Sequence, residues 1–248
     1  MKISVIFPVL NEENRLEIGI LKTIEYFKHI SYKINYEIII VDNGSVDRTE
    51  ELSKSILKKY NNIIYLKLKE KGVGLAFREG AKVSSGDIVG YMDIDISTDL
   101  NAMEITIREI VENNFDIVNS SRYLPNSKII GRPLFRTITS KANIYLINRI
   151  LKLTFTDYMC GFKFFKREVL MRLIELCSDE KGWFFCAELL IVGHYIGKTV
   201  KEIPVNWIDE RSNSKVDSQI IKLSFNYLKN VLKLKSRYRN KDDISNYV

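Results

Sequence analysis

Three short polar segments carry residue types suited to chemistry on a phosphorylated substrate. They are Pro8-Val-Leu-Asn-Glu-Glu13, Asp42-Asn-Gly-Ser-Val-Asp47 and Asp93-Ile-Asp-Ile-Ser-Thr-Asp99. Carboxylates with no histidine or cysteine beside them suit a hard cation, Mg2+ or Mn2+. Such ions usually bridge to phosphate oxygens, which makes a nucleoside diphosphate their natural companion. Taken singly, Asn11, Asp47 and Asp99 read equally well as helix caps, and Asp93-x-Asp95 as a turn. Their convergence is what favours chemistry.

Convergence requires a particular set of elements. The β-branched runs Lys2–Phe7, Glu37–Val41, Ile63–Leu68 and Ile88–Met92 read as buried strands. Helical patterns lie between them at Glu13–His29, Asp47–Lys59 and Gly72–Ser84, the second opened by Asp47-Arg-Thr-Glu50 as a capping box. Strand–helix alternation at this spacing implies βαβ units and a parallel sheet. In such a sheet ligands bind beyond the carboxyl ends of the strands, where all three polar segments fall. Further on, Asp99–Asn113, Leu134–Leu151, Arg167–Cys177 and Ala187–Ile196 are expected to be helical. Phe115–Ser120, Lys163–Phe165 and Thr199–Trp207 are expected to be extended.

Composition narrows the class. The chain has 248 residues, 46% hydrophobic and 28% charged, as in an ordinary globular protein. Three unevenly spaced cysteines (Cys160, Cys177, Cys186) and two histidines argue against a zinc site or a disulfide framework. His29 and His194 read as structural. No signal peptide and no spanning helix are expected. There is no GxxxxGK[ST] loop, and Gly72-Val-Gly74 followed by Gly80 is not a dinucleotide fingerprint.

Taken in order, the motifs resemble family 2 glycosyltransferases of the GT-A fold, from the N-terminus to about Lys215. The resemblance rests on Pro8–Glu13, Val41–Thr49, Gly72-Val-Gly-Leu-Ala-Phe-Arg-Glu-Gly80 and Met92–Asp99. Ser120-Ser-Arg-Tyr123, Asp157-Tyr-Met-Cys-Gly-Phe-Lys163, Glu202-Ile-Pro-Val-Asn-Trp207 and Ser214-Lys-Val216 are similar to the dolichyl- and polyprenyl-phosphate sugar transferases within that family. The implied fold is α/β: a Rossmann-like, mostly parallel central sheet flanked by helices, with a C-terminal amphipathic helix. Residues 1–216 would form the catalytic domain and 217–248 a basic helix and tail.

The resemblance also implies roles. Asp42 with Asn43, the Pro8, Leu10, Asn11 and Glu12 loop, and Arg78 would bind the nucleotide. Asp93 would face the sugar and ribose, while Asp95 with Ser97 would hold Mg2+ or Mn2+ on the diphosphate, neutralising the leaving group. Attack from the opposite face would invert the anomeric centre. A sugar-hydroxyl acceptor needs a carboxylate base, for which Glu188 and Asp157 are the candidates. A phosphate monoester, with a second pKa of about 6, needs cations instead. Arg122, Arg132, Arg136, Arg211 and Lys215 are the candidates for that task, and solvated surface arginines are the alternative. Departures from the family pattern include Val73 where a lysine is common, Asn43 for a second aspartate, and Cys186 for a carboxylate in Phe185-Cys-Ala-Glu-Leu189. With Cys186 unable to act as a base, the phosphate acceptor is mildly favoured over a saccharide acceptor.

The net charge of +7 concentrates at one end. Residues 218–241 contain Lys222, Lys229, Lys233, Lys235, Arg237, Arg239 and Lys241 and no acidic side chain. Apolar residues from Ile220 to Leu234 form one face of a helix with lysines opposite, suited either to docking on the body or to lying on anionic lipid. Leu146–Phe155, with Arg149 and Lys152, offers a second membrane-facing patch. The expected partners are therefore UDP-glucose or GDP-mannose, polyprenyl or dolichyl phosphate and a cytoplasmic membrane face, but not nucleic acid. A non-catalytic binding protein on the same fold is the reading from another class.

Overall fold

The computed structural model describes residues 1–209 and 220–238. Arg211, Lys215, Arg239, Lys241 and the expected boundary at 216/217 lie outside the described residues. Seven strands make one sheet: β1 (Lys2–Val9), β2 (Asn35–Asp42), β3 (Ile63–Lys67), β4 (Ile88–Met92), β5 (Ile117–Ser121), β7 (Phe162–Lys166) and β8 (Val200–Pro204). Their order is β3-β2-β1-β4-β7-β5-β8, and β7 alone runs antiparallel to its neighbours. A second sheet pairs β6 (Lys128–Ile130) in parallel with β9 (Asn206–Ile208). The expected extended run Thr199–Trp207 is thus two strands in two sheets, broken at Val205.

Alternation along the strands explains why they read as continuous apolar runs. In β1, Ile3, Val5, Phe7 and Val9 pack on one face and Ile6 on the other. The first face is covered by α1 (Leu16–His29), α2 (Thr49–Leu57) and α4 (Ala102–Val111). The second is covered by α3 (Val73–Val83), α5 (Leu134–Leu151), α6 (Arg167–Leu176), α7 (Phe184–Tyr195) and α8 (Ile220–Arg237). All residues of α7 from Phe184 to Gly193 are buried, so this helix shows no polar face in the sequence.

Several expectations need correction. The capping box at Asp47–Glu50 does not form: α2 starts at Thr49, and Glu50 pairs with Lys54 and Lys67 instead of reaching back. Asp47 instead accepts from the N–H and hydroxyl of Thr49 and from Glu13 N–H. The Leu146–Phe155 patch is largely core, with Ile147, Leu151, Leu153 and Phe155 buried. Exposed apolar side chains sit earlier on α5, at Leu134, Phe135, Ile138 and Tyr145. Helix α8 docks on the body through buried Tyr227, Val231 and Leu234, and Tyr227 donates to the Trp183 carbonyl at 3.0 Å. Phe225 and Leu232 remain exposed.

Candidate active site

The carboxyl ends of β1, β2 and β4 lie side by side, with Pro8 opposite Val41 and Val9 opposite Asp42. Asn11 adopts the left-handed conformation (φ 55°), which asparagine tolerates better than most residues. This turns its Oδ1 onto Val46 N–H at 2.9 Å, while its own N–H donates to Ser45 Oγ. Glu12 N–H donates to Thr49 Oγ1, so the Pro8–Glu13 and Asp42–Thr49 loops are sewn into one frame. Asn11 therefore braces a loop instead of capping α1.

Asp42 is fully buried, its oxygens accepting from Ser45 N–H and the Tyr65 hydroxyl, both at 2.8 Å. Asn43 accepts from Gly72 N–H at 2.7 Å, tying the frame to the start of α3. There Gly74 admits the 180–185 segment, since a Cβ would stand 2.5 Å from the Gly182 carbonyl oxygen. Arg78 is buried, donates to the Ser178 carbonyl at 2.6 Å and stacks 4.1 Å over Phe185. Through these two contacts the Arg78 guanidinium, expected at the nucleotide, also holds this segment in place. Leu10 is exposed at the rim, and Pro8 and Glu12 are partly so.

Asp93 and Asp95 follow β4 and are both partly accessible. Asp95 accepts from the Ser97 hydroxyl at 2.6 Å and from Ser97 N–H, which orients its carboxylate. Asp93 lies against Gly161, where a Cβ would fall 2.0 Å from Asp93 Oδ2. Only glycine permits that approach. The turn is anchored by the buried Lys163, whose Nζ donates to the Cys160 carbonyl at 2.6 Å. Burial lowers the pKa of this lysine from its ordinary value.

A hard cation fits Asp95. The Ser97 hydroxyl beside it is a further oxygen donor, and among the described residues no three His, Cys, Asp or Glu side chains converge as a protein-made cage. Mg2+ and Mn2+ commonly take one or two carboxylates and complete the shell with phosphate oxygens and water.

The cationic wall is built from the second half of the chain. Arg122, after β5, makes a bidentate pair with Asp157 at 2.7 and 3.0 Å, and both are buried. Asp157 also accepts from Arg122 and Met159 N–H groups. Burial pushes its carboxyl pKa up, but the Arg122 charge and these bonds outweigh burial and hold it below the ordinary value. The Asp157 carboxylate, expected as a candidate base, is thus engaged by the Arg122 guanidinium. Glu202 holds the same turn by accepting from Thr156 and Asp157 N–H. Arg136 pairs with Asp209 at 3.1 Å, and Arg132 donates to Ser140 Oγ at 2.9 Å.

Glu188, the other candidate base, is engaged by a serine. Its oxygens accept from Ser178 N–H and hydroxyl at 2.9 and 2.6 Å. It borders a cavity of about 260 Å³ with Asn230, Lys233 and Arg237 of α8. Burial raises its pKa, with the Ser178 bonds opposing. Sequence reasoning assigned no role to Gly161, Lys163, Glu202 or Trp207. All four stand inside the quoted motifs, and that was the available signal.

The model of the family described as "Glycosyl transferase family 2" matches residues 4–174. The chain is 32% identical to a dolichyl-phosphate beta-glucosyltransferase of Dictyostelium discoideum, covering 94% of this chain and 77% of that protein. It is 33% identical to a dolichol-phosphate mannosyltransferase of Pyrococcus furiosus, covering 94% of this chain but 64% of that protein. It spans 34% of glycosyltransferase AglD of Haloferax volcanii, at 28% identity over 88% of its own length. Among solved structures, glucosyl-3-phosphoglycerate synthase from Mycobacterium tuberculosis, in complex with Mn2+, UDP and glucosyl-3-phosphoglycerate, superposes with a TM-score of 0.67. That likeness covers 94% of this chain and 79% of the other at 18% identity, and it establishes the GT-A architecture.

Proposed function

The chain belongs to glycosyl transferase family 2, and on that premise we propose that it moves a hexose from a nucleotide sugar to polyprenyl or dolichyl phosphate. One observation carries the choice of acceptor. Arg122, Arg132 and Arg136 supply guanidiniums, whereas the two carboxylates expected as bases are engaged elsewhere, Asp157 by Arg122 and Glu188, at the α8 cavity, by Ser178. A phosphate acceptor is already an anion near neutral pH and needs cations, not a base. The names of the relatives, a glucosyl- and a mannosyltransferase acting with dolichyl or dolichol phosphate, support the same class.

In the proposed reaction the frame of Asn11, Asp42 and Asn43 shapes the nucleotide pocket, and Asp93 orients the sugar. Asp95 with Ser97 would hold Mg2+ or Mn2+, which would supply positive charge to the leaving nucleoside diphosphate; the M. tuberculosis enzyme with Mn2+ and UDP supports that reading. A phosphate oxygen of the acceptor forms the new bond to the anomeric carbon. The bond to the diphosphate breaks from the opposite side, its electron pair leaving with the nucleoside diphosphate, so the configuration inverts. The apolar side chains Leu134, Phe135, Ile138 and Tyr145 on α5, with Phe225 and Leu232 beside Lys229 and Lys233 on α8, suit a membrane surface on its cytoplasmic side.

Transfer is tested with radiolabelled UDP- and GDP-sugars and membranes containing polyprenyl phosphate, with and without Mn2+ or Mg2+. The expected product is chloroform-soluble, labile to mild acid, made from one donor and lost without metal. Donor consumption only with a saccharide acceptor would overturn this reading.

A further inference from the structure

Strand β9 serves two neighbours. Its backbone is sewn to the Asp95 loop: Ile208 N–H donates to the Ser97 carbonyl at 2.8 Å, and Asp99 N–H donates to the Asn206 carbonyl at 3.0 Å. Thr98 and Trp207 form an antiparallel bridge between these bonds. On its other edge β9 pairs with β6, with Trp207 opposite Ile129. The Trp207 side chain emerges at this junction and meets the cationic wall. The guanidinium carbons of Arg122 and Arg132 lie 5.4 and 5.2 Å from its ring centroid.

The two arginines differ in what they have left to offer. Arg122 is neutralised by Asp157. Arg132 forms no ion pair among the described residues, and its buried Nε has no hydrogen-bond partner. Burial, and then the Arg122 charge, pull its pKa down from the ordinary value, as expected of a cation lacking a counter-anion. An aromatic face attracts a guanidinium through its quadrupole without accepting its N–H groups in the ring plane. A carboxylate in the place of Trp207 would consume those donors, as Asp157 consumes those of Arg122. A ring leaves them for an incoming anion.

We propose that Trp207 is a positioning residue for the acceptor: its ring holds Arg132 beside Arg122 with Nη2 anchored on Ser140 and the Nε donor unspent, and its backbone keys that pair to the Asp95 loop. This deepens the lipid-phosphate reading and rests on it. The spacing between donor diphosphate and acceptor phosphate is then carried by one short strand, and the ring acts on the acceptor side alone.

The test measures initial rates for the full chain, varying polyprenyl phosphate at saturating nucleotide sugar and then the reverse. Trp207→Leu is expected to raise the acceptor KM about tenfold through loss of the two ring contacts. The KM for the nucleotide sugar should stay within about twofold, because no donor contact is removed. Trp207→Phe keeps a smaller aromatic face and should fall between, at about threefold. If Trp207→Leu does not fold, Trp207→Phe carries the test by itself. An acceptor KM at the wild-type value in the folded variants, a Phe variant no better than Leu, or both KM values rising together would overturn the role of Trp207. A wild type that transfers nothing to polyprenyl phosphate would instead overturn the functional reading, and this proposal with it.

Discussion

The carboxylate edge and the cationic wall hold their functional groups by different physics. At the edge, the loops after β1 and β2 are joined by bonds between backbone N–H groups and short polar side chains, as in Asn11 to Val46 and Thr49 to Glu12. These bonds are individually worth about 1 kcal/mol, and several of them share the task. The wall instead depends on a buried charge pair, Arg122–Asp157, and on guanidiniums stacked on Trp207. Its bonds are few and each is costly to break. The edge should tolerate loss of a brace and fail in chemistry, whereas the wall should fail in stability first.

The largest effect expected is at the wall. Asp157→Ala strands the Arg122 charge in the interior, and urea denaturation should show a loss of about 3–5 kcal/mol. The pH dependence has a definite sign. Because the folded pKa of Asp157 is depressed, its contribution is complete above the unfolded value of about 4 and is lost as pH falls through the folded value. The stability gap between wild type and Asp157→Asn should therefore narrow below about pH 4. A stable Asp157→Asn that has lost turnover would restore Asp157 as a base and break the comparison.

At the edge, Asp95→Ala should lower kcat by about 10²–10³-fold while leaving the urea midpoint near wild type. A matching loss of stability would show that the edge is also held by charge. Gly161→Ala places a methyl group against the Asp93 carboxylate and should cost about 10²-fold in turnover by displacing it. Unchanged kinetics would remove Asp93 from the site. The smallest effect is expected at Glu188→Gln, which keeps an acceptor for Ser178 and should change kcat less than about threefold. A collapse of activity there would make Glu188 a base after all and favour a saccharide acceptor.

The two regions also differed in legibility. Asn11, Asp42, Asp93 and Asp95 stand at the ends of β-branched runs, so the sequence pattern placed them together once a parallel sheet was inferred. The first half alternates strand and helix regularly, and its boundaries were read to within a few residues. The second half hid its sheet. β7 is antiparallel and lies between β4 and β5, and the three-residue β6 and β9 pair across more than seventy residues of chain. Helix α7, apolar all round, was read at Ala187–Ile196, with its start placed three residues late because no polar face marks Phe184–Cys186.

The amino-acid sequence by itself determined the chemistry on offer: hard carboxylates after strands, arginines in motifs and a family-like order of segments. Local pattern suffices for this because strand ends and turn residues act over a few positions. Only the tertiary structure decided which charges are available. Asp157, Glu188 and Arg78 were candidates for chemistry alongside Asp95, Glu188 with a buried structural role as its alternative, yet burial forces each to find a partner, because an unpaired charge in a low-dielectric interior is too costly to leave. Those partners, Arg122, Ser178 and the Ser178 carbonyl, are chosen by packing between distant segments and not by spacing along the chain.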